Sequence, residues 1–139
     1  MGNPVGVVLD CADLTVQDMQ MIARWANLSE TTFLLPPEQG GDYRIRIFTP
    51  VSELPFAGHP AIGTVHAALE SGVLPGGKGE YVQECAAGLL RVRTDQAGPV
   101  RNLFVQAPAR HIGRSKTTSW TSSTSRWTPT RGRPCGRRS

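Results

Sequence analysis

Residues 53–72, with the sequence ELPFAGHPAIGTVHAALESG, predict a tight turn followed at once by a short helix. Pro60 suits the first helical position, because its ring presets φ and its missing N–H would be unpaired there anyway. Gly58 permits close packing or a left-handed turn, and Gly72 is a typical C-terminal stop. Since apolar or small residues occupy nearly every face, the helix is expected to be buried all round, with other structure wrapped about it.

The amino end of this helix is a candidate anion site. A helix N-terminus exposes unpaired N–H groups and the positive end of the helix dipole. His59 lies at that end. The alternative is an ordinary capped core helix with an incidental histidine, and these residues taken alone favour that alternative.

The other predicted elements complete an α+β pattern. Thr15 and Asp18 form the sequence of a capping box, and an apolar stripe at helical spacing follows, with Asn27 as a plausible stop. Apolar or alternating segments predict strands at 6–10, 28–35, 43–48, 80–85, 89–93 and 100–106. The chain is therefore expected to form an α+β fold in which a mostly antiparallel sheet encloses the helix that follows Gly58.

Charge is distributed unevenly along the chain. Residues 1–113 hold 8 Lys/Arg and 11 Asp/Glu, whereas residues 114–139 hold 7 Lys/Arg and no acidic residue. This tail also lacks Leu, Ile, Val and Ala, so it cannot bury enough apolar surface to fold and is predicted to be disordered. Three interpretations stay open: a basic nucleic-acid arm with Trp120 and Trp127 for stacking, a segment without a selected role, or translation out of frame.

Cysteine usage and hydropathy limit the class of protein. Cys11, Cys85 and Cys135 show no CxxC and no paired spacing, which argues against a zinc site or a disulfide framework and fits a reducing, cytoplasmic compartment. No signal peptide is recognised, and no apolar run is long enough to span a bilayer. A membrane partner is therefore not expected.

Three features of the sequence could carry chemistry. Glu30 lies at the mouth of a predicted strand in an otherwise apolar or hydroxylic run, where a partly desolvated carboxyl could exchange protons near neutral pH. The turn at Gly58 and His59 could hold a substrate carboxylate. Asn3 could donate an amide hydrogen bond. Each residue also has an ordinary explanation when taken alone. Glu30 could be a solvated residue at a strand edge, Gly58 and His59 could belong to a core helix, and Asn3 could lie in an ordinary turn.

Four segments taken together resemble the PhzF-like family of phenazine-biosynthesis isomerases: GNPVGVVLD (2–10), NLSETTFLLPP (27–37), YRIRIFTPVSELPFAGHPAIGTVHAALESG (43–72) and LFVQAPAR (103–110). The resemblance covers roughly residues 2–113. It implies a diaminopimelate-epimerase-like fold, with two similar lobes that each roll a sheet around a central helix. It also places the active site between the lobes.

The resemblance implies roles for the candidate residues. Glu30 would be the acid/base that moves a proton on a small carboxylated substrate, without cofactor or metal. Gly58 and His59 would belong to the substrate-binding and proton-relay wall, and Asn3 to substrate binding. Related epimerases use one cysteine from each lobe, but Ala57 stands at the start of the corresponding motif, so a two-cysteine mechanism is not expected.

Two departures from the family pattern shape the remaining expectations. Family members begin with a further strand before the GNP motif and continue into a second lobe. The chain is therefore expected to be a truncated first lobe, residues 1–113, incomplete at its N-terminus, poorly soluble and inactive alone. A homodimer is a secondary expectation.

The alternatives are a non-catalytic lobe or gene fragment, and a nucleic-acid-binding protein acting through residues 114–139. Nucleic acid is the less expected partner. A strongly salt-dependent affinity that is lost on deleting those residues would favour it.

Overall fold

The computed structural model describes residues 2–97 and 100–109, so the predicted tail, residues 114–139, lies outside the described residues. The described part contains seven strands and two helices. In chain order these are β1 (Val5–Val8), α1 (Val16–Ala26), β2 (Glu30–Leu35), β3 (Tyr43–Phe48), β4 (Glu53–Leu54), α2 (Gly58–Glu70), β5 (Glu80–Cys85), β6 (Gly88–Ala97) and β7 (Val100–Val105).

The strands form one mixed sheet in the order β1-β2-β3-β5-β6-β7, with the short β4 paired to β3. The β1–β2 and β3–β5 pairs are parallel, and the other four pairs are antiparallel. Helix α2 contacts β1 and β2 near one end of the sheet and β7 at the other. The sheet therefore curls around α2, which confirms the predicted α+β lobe with a rolled sheet and a central helix.

Alternating side chains divide the interior into two cores. In β3, Tyr43, Ile45 and Ile47 are buried while the arginines between them are half-buried, as the alternation predicts. Strand β2 is buried on both faces: Leu34 packs into the core that includes α2, and Phe33 packs into the core that includes α1. One face of β2 therefore looks toward each helix.

Helix α1 begins and ends where the sequence predicts. The Thr15 side chain accepts a hydrogen bond from the Asp18 N–H, and Asp18 Oδ2 accepts one from the Thr15 N–H at 3.0 Å, which completes the capping box. Asn27 adopts the left-handed conformation, with φ of 50°. Met19 and Ala23 are the buried residues of this helix.

Helix α2 starts two residues earlier than the proline predicts. Its first residue is Gly58, so Pro60 is the third helical residue; its missing N–H is tolerated there because the first four N–H groups have no intrahelical partner. Gly58 is neither left-handed nor closely packed, since an added Cβ would meet nothing within 4 Å. The close approach occurs at Gly63, where a Cβ would lie 2.6 Å from Val5 Cγ1. Gly72 has φ of +76°, as a helix stop requires.

The prediction that α2 is buried on all sides is wrong, because only part of its surface is buried. One side is buried through Pro60, Ala61, Thr64, Val65 and Ala68, while His59 and His66 are exposed. The exposed side borders an open groove of about 510 Å³ that is also lined by part of β7. The sequence could not show this opening, because it depends on how far the sheet curls.

Strand lengths also differ from the predictions. β6 runs on to Ala97 instead of ending at residue 93, because its polar second half pairs with β7. β1 spans Val5–Val8 instead of 6–10. Strand β4 was not predicted, since two residues are too few for a periodic pattern.

The loop between β2 and β3 is held by a buried carboxylate from β5. Glu84 is 2% exposed and accepts hydrogen bonds from the backbone N–H groups of Glu38 (2.8 Å), Gln39 (2.6 Å) and Gly41 (2.8 Å). Burial raises the pKa of Glu84, but these N–H groups and Arg44 outweigh it, so the pKa lies below its ordinary value. The folded state therefore favours the ionised carboxylate.

Replacing this carboxylate, Glu84→Gln, is expected to lower the melting temperature at neutral pH, because the amide N–H₂ meets donors where an acceptor is needed. The parent's advantage is present above the pKa of an unfolded glutamate and disappears as pH falls through the folded-state pKa, since the parent carboxyl is then protonated too. Thermal unfolding from neutral to acidic pH tests this, with the partly exposed Glu80→Gln as control. A difference that stays constant with pH would contradict it.

Candidate active site

Glu30 is the first residue of β2 and is aligned with Val5 of β1. Because side chains alternate along a strand, it shares a face with Leu34, which packs in the core around α2. Its side chain is 20% exposed. Its Oε2 atom is buried and has no hydrogen-bond partner among the described residues. Glu30 is therefore mostly buried and is not a fully solvated residue at the edge of the sheet.

His59 is the second residue of α2 and lies beside this carboxylate. Its Nδ1 is 3.8 Å from Glu30 Oε2, which is within ion-pairing range but too long for a hydrogen bond. The His59 side chain is 46% exposed. The fold thus brings together the two residues predicted to be catalytic, with one buried carboxylate oxygen and one accessible imidazole.

The first turn of α2 offers backbone donors at the same place. Ala57 is the N-cap and provides no side-chain cap, and the helix geometry leaves the N–H groups of Gly58 and His59 without intrahelical partners. Gly58 has open space where a side chain would be. A ligand could therefore approach the backbone of this turn closely.

Asn3 lies on the β1 side of Glu30. Its side chain is tied to the residue before Glu30, because Ser29 Oγ donates a 2.8 Å hydrogen bond to Asn3 Oδ1. This bond uses the amide oxygen of Asn3, whereas the predicted role requires its amide N–H groups. Asn3 is thus placed next to the site with its donor group not engaged in that bond.

The cysteines are placed differently from Glu30 and His59. Cys11 is buried in the α1-side core, and its Sγ donates to Leu34 O at 2.9 Å. Burial, followed by the Asp10 charge, raises the pKa of the Cys11 thiol, and Arg44 offsets part of this. Cys85 is half-buried at the end of β5.

Two further properties bear on partners. No cluster of three His, Cys, Asp or Glu side chains within residues 2–97 and 100–109 is arranged to hold a metal ion. No helix in the described part of the chain is long and apolar enough to cross a bilayer.

Two buried threonines, one on β2 and one on α2, were not among the predicted site residues. Thr32 and Thr64 are fully buried, and their hydroxyl oxygens are 2.6 Å apart. The only local signal was the presence of threonines in two otherwise largely apolar segments. Their pairing depends on the packing of α2 against β2.

A family model described as "Phenazine biosynthesis-like protein" matches residues 1–127. The Schizosaccharomyces pombe protein named antisense-enhancing sequence 1 is 50% identical over 95 residues, which is 68% of this chain and 32% of the relative. The Pseudomonas aeruginosa trans-2,3-dihydro-3-hydroxyanthranilate isomerase is 65% identical over 66 residues, which is 48% of this chain and 24% of the relative.

Solved structures show the same similarity. A Bacillus anthracis phenazine biosynthesis protein of the PhzF family superimposes with a TM-score of 0.67 and 37% identity, covering 76% of this chain and 34% of that one. A hydroxyproline epimerase from Agrobacterium vitis, at 22% identity with a TM-score of 0.50 over 59% of this chain and 27% of that one, shares the fold. The chain spans about a quarter to a third of the length of the relatives described.

Proposed function

The chain belongs to the phenazine biosynthesis-like (PhzF) family, and on that premise we propose that it supplies the catalytic wall of a cofactor-independent isomerase. The proposed reaction moves a proton between two positions of a small carboxylated substrate. The observation that carries the proposal is the buried, unpartnered Glu30 Oε2 at 3.8 Å from His59 Nδ1. The Pseudomonas aeruginosa relative is named for isomerisation of an anthranilate derivative, which is a compound of this class.

Glu30 is the proposed proton shuttle. The carboxylate takes a proton from a substrate carbon as the C–H bond breaks, and a proton is returned to a second position, so no oxidant or reductant is needed. While it is held on the carboxyl group, the proton can exchange with solvent. Oε2 is buried, but the Glu30 side chain is 20% exposed, so the substrate proton is proposed to reach the accessible part of the carboxylate. The neighbouring His59 acts as the proton relay, since an imidazole can donate and accept.

The first turn of α2 is the proposed carboxylate site. The N–H groups of Gly58 and His59 point out of the helix end, where the dipole favours an anion. Asn3 contributes an amide N–H from the β1 side. This arrangement holds the substrate carboxylate beside Glu30 and orients the reacting carbon toward the Glu30 carboxylate.

The site needs a second wall opposite Glu30 and His59. The imidazole is almost half exposed, so water has free access to the reacting groups from that side. We propose that a second lobe of the family fold closes the site, because exclusion of water and orientation of substrate both follow from closure. The reaction is proposed to take place in the cytoplasm, and a homodimer remains a secondary prediction.

Replacing the imidazole, His59→Ala, is expected to weaken binding of a carboxylate substrate analogue by about tenfold, the effect of losing one hydrogen bond to a charged group. In a two-lobe protein that carries this lobe, the analogue should shift the amide signals of Gly58, His59 and Ala61 in NMR spectra. The matched control is His66→Ala, since His66 is exposed on the same helix. Signals that shift elsewhere and not at these amides would count against the carboxylate site.

A further inference from the structure

A pair of buried hydroxyls joins β2 to α2 next to the proposed site. Thr32 and Thr64 are both 0% exposed, and their Oγ1 atoms are 2.6 Å apart. Thr64 Oγ1 is also 2.7 Å from the carbonyl oxygen of Pro60, and Thr32 Oγ1 is 3.3 Å from that of Gly6. The two hydroxyl hydrogens can supply two of these three contacts at a time. With Thr64 donating to Pro60 O and Thr32 donating to Thr64 Oγ1, a chain of hydrogen bonds runs from β2 to the first turn of α2.

Each end of this chain lies close in sequence to one of the two proposed catalytic groups. Thr32 follows Glu30 by two residues on the same face of β2. Thr64 contacts the carbonyl of Pro60, the residue directly after His59. The hydroxyl pair is thus a direct polar link between the strand that carries the carboxylate and the helical turn that carries the imidazole.

Apolar packing by itself does not require these hydroxyls. Valine has nearly the shape of threonine and would fill the same space, and a buried hydroxyl is costly unless it is hydrogen-bonded. What a hydroxyl adds is direction, because a hydrogen bond constrains both distance and angle. In a helix, moreover, the Thr side chain is held by its bond to the carbonyl four residues earlier.

We propose that Thr32 and Thr64 are positioning residues that set the spacing between Glu30 and His59; the inference rests on the proposed function for its catalytic meaning. The hydrogen bond between the two threonines fixes the distance between the first turn of α2 and strand β2. Val5 limits the approach on the next turn, where a Cβ on Gly63 would lie 2.6 Å from Val5 Cγ1. Without the hydroxyl bond, the turn would still pack against the sheet but in a looser position.

The test measures the contact between Glu30 and His59 by NMR on the 139-residue chain, without substrate. The chemical shift of the His59 ring is compared with and without the Glu30 charge, by introducing Glu30→Gln at fixed pH. The expected result is a clear response in the parent chain. Thr64→Val is expected to lose most of that response, because the turn is no longer held at its present distance.

Internal and matched controls separate position from packing. The His66 ring should show no response in any background. Thr64→Ser keeps the hydroxyl and loses the methyl group, so it should retain the response that Thr64→Val loses. Thr94→Val removes a partly exposed hydroxyl that bonds to Lys78 O at 3.0 Å and should leave the response unchanged. Thr32→Val removes the same contact from the strand side and should act like Thr64→Val.

Three results would overturn the proposal. One is a full His59 response in both valine variants, and another is loss of the response in Thr64→Ser but not in Thr64→Val. The third is loss of the fold in both valine variants, since the proposal assigns the hydroxyls a role in position and not in folding. None of these results depends on turnover, so a failed isomerase assay would reject the proposed function while leaving this measurement intact.

Discussion

Glu30→Gln is expected to reduce isomerisation by about 10²- to 10⁴-fold, which is the usual contribution of a general acid/base, while leaving the fold unchanged. The substitution is nearly isosteric, and it alters an oxygen that has no hydrogen-bond partner among the described residues, so no described hydrogen bond of that atom is lost. The amide cannot accept the substrate proton. The rate is measured in a two-lobe protein that carries this lobe.

The matched control for this prediction is Glu80→Gln. Glu80 is also the first residue of a strand, but its carboxylate is ion-paired with Arg91 at 3.0 Å on the surface. It should keep the parent rate. Substrate-dependent exchange of solvent deuterium that continues unchanged in Glu30→Gln would remove Glu30 from the role of proton shuttle.

The 139-residue chain by itself is expected to show no isomerase activity. The described lobe presents Glu30 and His59 on an open face, and His59 is 46% exposed. An open face neither excludes water nor fixes the substrate from its second side, so the contributions of closure and orientation to the rate are absent.

A graft provides the comparison for this prediction. Residues 2–109 replace the corresponding lobe of the Pseudomonas aeruginosa isomerase, to which part of this chain is 65% identical. Proton exchange on trans-2,3-dihydro-3-hydroxyanthranilate is then measured for the graft and for the 139-residue chain. We expect exchange by the graft only. Turnover by the short chain at a matching rate would refute the requirement for a second wall.

Local patterns in the sequence predicted most of the elements. The capping box at Thr15 and the alternation in β3 placed α1 and β3 correctly, because caps and side-chain periods depend on residues close together in the chain. Errors occurred where the local signal was ambiguous. Pro60 is compatible with more than one position in a first turn, so it misplaced the start of α2 by two residues.

The candidate site was predictable in part, and only as a set of residues. Glu30, Gly58, His59 and Asn3 were singled out from the sequence, but each has an ordinary explanation when taken alone, and their roles were implied only by the family resemblance. The structure adds the positions of these residues relative to one another. Glu30 and His59 lie together, whereas the oxygen of Asn3 is bonded to Ser29.

The sequence by itself determined the types of the longer elements, the caps of α1, the stop after α2 and the family, because these follow from neighbouring residues and from motif order. Tertiary structure decided which side of α2 stays open, the 3.8 Å spacing of His59 from Glu30, and the contact between Thr32 and Thr64. The last two of these join β2 to α2, and the open side of α2 faces β7, so each feature links elements far apart in the chain. Their separation depends on how tightly the whole sheet curls around the helix, which is set by packing across the core and not by any local pattern.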